Sequence, residues 1–209
     1  MVTVYLIRHG RTQGNLERRY IGSTDQPLCP AGRAELAGRT APVVDQIWTS
    51  PMLRCRQTAE LLFPGQAVHV AADLRECSFG AFEGRTYQEL KDDPAYCAWL
   101  DSGGTAPPPG GESCPQQQER TLRAFYRIVG DVPPGAAVAL VVHGGTIMCL
   151  LEALEPSGEF YRWQVPNGGG FRCQWDGKNM SVIEKLCQIK LPSLGIERRQ
   201  FCLTEITAC

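Results

Sequence analysis

No window of this sequence approaches the roughly 18 uninterrupted apolar residues of a membrane-spanning helix, and Arg8 stands where the apolar centre of a signal peptide would lie. A soluble, cytoplasmic protein with no membrane partner is expected. An excess of either charge is also missing: Lys plus Arg number 21 against 22 for Asp plus Glu, and the pI is near 6.3. No overall basic field gathers nucleic acid, so any anion site has to be built locally. Histidine is scarce, with three in the chain. Cysteine is plentiful at ten residues, yet no two have C-x-x-C spacing, which speaks against zinc. A disulfide framework belongs to short secreted chains. The thiols are therefore expected to be reduced and to act as small core hydrophobes, with a redox or nucleophilic role open for one of them.

What is present suits one domain over residues 1–209, 43% hydrophobic. Val2–Ile7 and Val43–Thr49 are β-branched runs, and Ala136–Val142 is a third with no polar alternation, the pattern of strands covered on both faces in an α/β fold. Ser50-Pro51 predicts an N-cap and first helical residue opening MLRCRQTAELL. Thr86 to Glu89 and Ser113 to Gln116 have capping-box spacing. Asp101–Gly111 (DSGGTAPPPGG) is read as a surface loop, and Trp163–Gly170 (WQVPNGGG) as a turn into a strand. Beyond Phe171 the strand-like pieces are short and their pairing is not assignable from the sequence.

The stretch YLIRHGRTQGN then poses a chemical question, because a buried strand has no structural need for Arg-His-Gly-Arg at its end. His9 and His143 each follow directly on a strand-like run and each precedes a glycine. In open α/β sheets ligands bind beyond the carboxyl ends of the strands, so both imidazoles are expected at one cleft. Gly10 and Gly144 allow a ligand close approach, and the helix N-termini that follow aim N–H groups at an anion. Arg54, in the first turn after the second run, adds a cation to that of Arg8. Singly, each of these residues has an ordinary explanation as a surface charge or a satisfied polar group. Jointly, two desolvated guanidiniums call for a balancing anion.

Arg8-His9-Gly10-Arg11-Thr12 with Asn15 resembles the R-H-G-x-T-x-x-N signature of the histidine phosphatase superfamily, the phosphoglycerate mutase-like proteins. Further blocks fit in order: Gly22–Leu28 with Gly32, Ser50–Arg54 with Thr58-Ala59, Leu74–Glu76 with Phe79-Gly80 and Glu83-Gly84, Gly111-Glu112-Ser113, and Val142–Gly145. They span most of the chain to about Leu151.

The resemblance implies a three-layer α/β/α sandwich with a mostly parallel central sheet and the active site at the carboxyl ends of its strands. It implies His9 as the nucleophile that forms a phosphohistidine, within a clamp of Arg8, Arg54, His143, Asn15 and N–H groups near Gly144. Gly22 and Ser23 are further expected substrate contacts. Glu76 would be the acid and base, with mostly apolar neighbours Cys77, Phe79 and Phe82 helping to keep it protonated, and Glu83 is the competing candidate. No metal and no cofactor are expected, and the partner is a small phosphorylated metabolite. Arg11, Cys29 and Cys55 depart from the usual family residues outside this set.

A mutase of this family generally carries an inserted basic segment after the acid-bearing loop. Here residues 85–109 offer Arg85 and Lys91 in an acidic, Pro-rich context. That favours a phosphatase, and EGRTYQEL and GGES resemble the α-ribazole and broad-specificity phosphatase branch. Tyr87, Tyr96, Trp99 and Phe82 suit either a cap over an aromatic base or a core. A mutase and a non-catalytic phosphate-binding module stay as alternatives.

Overall fold

The computed structural model describes residues 1–186. Six strands, β1 (Val2–Arg8), β2 (Gln46–Thr49), β3 (His69–Val70), β4 (Ala137–Val142), β5 (Gly170–Trp175) and β6 (Met180–Leu186), form one sheet in the order β3-β2-β4-β1-β5-β6. The pairs β3·β2, β2·β4 and β4·β1 are parallel, whereas β5 runs antiparallel to β1 and β6 antiparallel to β5. The chain steps outward from β1 to β2 and β3, then returns to insert β4 between β1 and β2. This reversal sets three carboxyl ends side by side, with Arg8 opposite Val142 and Thr49 opposite Val141.

The helices are α1 (Gln13–Leu16), α2 (Pro30–Leu36), α3 (Leu53–Leu62), α4 (Tyr87–Leu90), α5 (Pro94–Asp101), α6 (Cys114–Gly130) and α7 (Gly144–Leu154). Strand alternation divides the β4 run between two cores. Val138, Leu140 and Val142 join Val4 and Leu6 beneath Phe125 and Ile128 of α6 and Ile147 and Leu151 of α7. Ala139 and Val141 join Ile7 and Ile47 beneath Leu36 of α2 and Cys55, Ala59 and Leu62 of α3. The α/β/α layering expected from the sequence is thereby formed.

The structure corrects two boundaries. β2 begins at Gln46 and not at Val43, which is 95% exposed and lies outside the pairing of β2 with β4. α3 is preceded by Met52, which makes no side-chain cap bond, so Ser50 and Pro51 are not its N-cap and first residue. Ser50 is fully buried and its hydroxyl faces His143. The capping boxes at Thr86 and Ser113 form as expected. Cys29 caps α2 in place of a hydroxyl residue, its sulfur accepting from the Gly32 N–H. Phe82, Tyr96, Tyr20 and Leu90 make a separate core with Phe79 and Trp99 packed against it. This is the core alternative for Phe82 and Tyr96; Tyr87 is 43% exposed. The unassigned segment beyond Phe171 supplies β5 and β6, and β5 buries Phe171, Cys173 and Trp175 under α6 and α7.

Among the described residues no helix is long and apolar enough to cross a membrane, and seven cysteines are free thiols. Cys187, Cys202 and Cys209 lie outside the described residues.

Candidate active site

The ends of β1, β2 and β4 bring His9, Arg8, Arg54 and His143 together. The rings of His9 and His143 meet edge to face with centroids 5.2 Å apart. His9 is fixed from both sides of the chain: its Nδ1 lies 2.7 Å from its neighbour's carbonyl, Gly10 O, while the Gly10 N–H donates to Thr58 Oγ1 at 2.9 Å. A carbonyl only accepts, so Nδ1 carries the proton and the lone pair is on Nε2. Burial, followed by the charges of Arg54 and Arg8, holds the His9 pKa well below its ordinary value. The ring is therefore neutral near neutral pH.

Arg54 is buried in the first turn of α3. Its Nη1 and Nη2 donate to the carbonyls of Thr24 and Gly22, each at 2.8 Å, and its Nε to His143 Nδ1 at 3.3 Å. Accepting there leaves the His143 proton on Nε2, which donates to Ser50 Oγ at 2.7 Å. Burial, then Arg54, keeps the His143 pKa well below its ordinary value as well. Cys55, one of the family departures, packs against this ring with its sulfur 3.5 Å from Nε2.

Arg8 donates Nη1 to Val165 O at 2.7 Å, while its Nε is buried without a partner among the described residues. Burial, opposed by Glu76, lowers the Arg8 pKa. A buried N–H donor left open beside a second guanidinium is a place for an anion. Gly144, the first residue of α7, permits the approach: a Cβ there would sit 3.3 Å from Arg8 Cζ and Nε. Asn15 caps Thr12 through Oδ1 and also accepts from Asn167 at that oxygen.

Glu76 is surrounded by donors, contrary to the apolar setting expected. Its Oε1 accepts from Gln117 Nε2 at 2.8 Å and from the Cys77 N–H at 3.0 Å, and its Oε2 from the Gly145 N–H at 3.0 Å. Phe82 belongs to the separate aromatic core. The loop carrying Glu76 is tied by buried Arg120, which donates to the carbonyls of Asp73, Arg75 and Glu76 and pairs with Glu112 at 2.6 Å. Glu83 has a different task. It accepts from the N–H groups of Gly22, Ser23 and Phe79 and from the hydroxyls of Ser23 and Thr24. Burial would raise its pKa, but these bonds outweigh burial and hold it low. Gly22 and Ser23 thus turn their donors toward Glu83, and the Gly22 and Thr24 carbonyls toward Arg54.

The 163–170 segment, read chiefly as a turn with a place near the site as its alternative, is both. Asn167 Nδ2 donates to His9 O at 3.1 Å, and the Gly168 N–H donates to the carbonyls of Arg8 and His9. The turn reading holds, and the turn straps the Arg8-His9 junction. Gln117 and Arg120 were missed, because nothing in a polar, amphipathic helix sequence tells which polar residues turn inward.

The family model described as "Histidine phosphatase superfamily (branch 1)" matches residues 4–186. The chain belongs to the histidine phosphatase superfamily, whose members are phosphatases or mutases. Among curated relatives, "Probable phosphoglycerate mutase GpmB" of Cronobacter sakazakii is 34% identical over 164 residues, covering 74% of this chain and 75% of its own. A candidate alpha-ribazole-5'-P phosphatase from Escherichia coli has the same fold, with a TM-score of 0.80 at 24% identity over 91% of this chain and 99% of that one. A phosphoserine phosphatase mutant from Entamoeba histolytica, solved with phosphoserine, gives a TM-score of 0.76 at 25% identity over 89% and 97%.

Proposed function

We propose that this chain hydrolyses phosphomonoesters of small metabolites through a phosphohistidine on His9. The observation that carries the reading is the Nδ1–H of His9 bonded to Gly10 O, which leaves the lone pair on Nε2 of a neutral ring held in the field of Arg54 and Arg8. Nε2 attacks phosphorus, and the P–O bond to the leaving alkoxide breaks as Glu76 delivers a proton to it. Glu76 then takes a proton from the water that attacks the phosphohistidine, the P–N bond breaks and phosphate leaves. The Nε of Arg8, the Arg54 guanidinium, the Asn15 amide and the Gly144 N–H serve the equatorial oxygens, where charge develops. His143 acts mainly by holding Arg54. Gly22 and Ser23 act through the loop that Glu83 and Arg54 pin from opposite sides. This donor set supplies the positive charge that the transfer needs.

Hydrolysis is favoured over mutase chemistry by the segment after the acid loop, where Arg85 is tied to Asp93 and to the Glu89 carbonyl. The phosphoserine phosphatase relative agrees with a hydrolase; the curated relatives named as mutases support the second reading. α-Ribazole 5′-phosphate is the first ester to try, on the EGRTYQEL and GGES contexts alone. The test is phosphate release from α-ribazole 5′-phosphate, fructose 2,6-bisphosphate, 3-phosphoglycerate and an aryl phosphate without added metal, with phosphoglycerate interconversion assayed in parallel. Release that disappears in His9→Ala supports the proposal; interconversion without release transfers it to the mutase reading.

A further inference from the structure

One group of thiols has no part in the reaction above yet touches its machinery. Cys114 opens α6 and is partly exposed, Cys149 is buried on the facing α7, and their sulfurs are 3.8 Å apart. The Cys149 sulfur also lies 3.5 Å from Gln117 Oε1, and the same amide donates Nε2 to Glu76 Oε1 at 2.8 Å. An unbroken path of contacts therefore runs from a partly exposed cysteine to the carboxylate. Cys77, the third thiol of the area, turns its sulfur to Glu112 O at 3.2 Å.

We propose that Cys114 and Cys149 form a hydroperoxide-oxidisable dithiol whose closure to a disulfide releases Gln117 from Glu76. The effect on turnover rests on the hydrolase reading of Glu76; the oxidation itself does not. The two sulfurs are unequal in the way such a pair needs. Cys114 sits at a helix N-terminus and is partly exposed, which favours thiolate. Cys149 is buried and its S–H donates to Gln117 Oε1 at 3.5 Å, so it keeps its proton.

The Cys114 thiolate attacks a peroxide oxygen, the O–O bond breaks, and the departing oxygen leaves as water with a proton from solvent, giving a sulfenic acid. The Cys149 sulfur then attacks that sulfur; the S–S bond forms, the S–O bond breaks, and a second water leaves with the Cys149 proton. Two thiols lose two electrons and one peroxide gains them. To bond, the sulfurs must approach by about 1.8 Å, which draws Cys149 away from Gln117 Oε1 and removes that oxygen's S–H donor. The Gln117 amide is 3% exposed, so an unpartnered Oε1 favours rotation of the group and loss of its bond to Glu76.

The test treats the full chain carrying Cys97→Ser with hydrogen peroxide, alkylates remaining thiols, and maps disulfides by peptide mass spectrometry alongside steady-state kinetics. Cys97 is removed because it shares a tryptic peptide with Cys114. A Cys114–Cys149 link is expected, with kcat reduced roughly tenfold at unchanged KM, recovery with dithiothreitol, and no such response in Cys114→Ser. Absence of that link, over-oxidation of Cys114, or its pairing with another cysteine overturns the site. A link with kcat unchanged overturns the connection to Glu76. A wild type that hydrolyses no ester sinks the hydrolase reading, while the peptide map still decides the dithiol.

Discussion

The Nε–H of Arg54 points at Nδ1 of His143 across 3.3 Å, joining the end of β2 to the end of β4 through two buried side chains. Arg54 spends its other nitrogens on the carbonyls of Gly22 and Thr24, so one guanidinium fixes a ring, a loop and a charge.

Replacing it separates charge from geometry. Arg54→Lys keeps the charge and loses the fork. Both Arg54→Lys and Arg54→Ala are expected to lower kcat/KM at least ~100-fold, since a lone donor to developing charge is worth about that much. Steady-state kinetics on the best ester of the panel decides it; a Lys variant near wild type would show that the geometry is dispensable.

Gly145→Ala is expected to act on the acid group alone. A Cβ at Gly145 would come 2.5 Å from Glu76 Oε1 and 3.3 Å from Oε2, so the carboxylate must shift, while the helix gains a better helix former. The prediction is a fall in kcat of roughly tenfold or more with thermal stability kept or raised. Calorimetry beside kinetics checks both halves.

Asn167→Ala removes the Nδ2 bonds to His9 O and Asn15 Oδ1. A loss of about 1 kcal/mol in urea unfolding is expected, together with slower turnover, because the backbone of His9 is no longer strapped. Unchanged kinetics would reduce the 163–170 turn to a connector.

That turn marks where the sequence stops being legible. β4 was readable because burial on both faces makes a strand apolar throughout, β1 and β2 because their β-branched and aromatic residues favour strand, and His9 and His143 because a chemical group at a strand end has no packing reason to be there. Ser50 misled: Ser-Pro is a good helix start, but tertiary contact with His143 took the hydroxyl and the helix begins after Met52. Glu76 and Glu83 stand in one motif-rich stretch, and only the donors around each tell them apart. Gln117 and Arg120 act from a helix of ordinary polar pattern, so their inward aim appears only once α6 is packed.

The depressed pKa values of His9 and His143 set a pH dependence. The unfolded chain takes protons on both rings near the ordinary value of ~6.5 while the folded chain does not, so stability is full above that pH and falls as pH drops below it. Glu83, also depressed, adds stability above the ordinary carboxylate range that is lost at lower pH, as it protonates in the fold. Urea midpoints are expected to fall from pH 7 to pH 5, less steeply in a His143→Gln variant. A midpoint that rises over this interval contradicts the neutral assignment of both rings.

The most direct test of the account traps the enzyme in turnover. A burst of the best ester, quenched in alkali and analysed by residue-resolved mass spectrometry, is expected to show a phosphoryl group on His9, absent from His9→Ala, which also releases no phosphate. Phosphate release without any adduct on His9, undiminished in His9→Ala, would contradict the account at its centre.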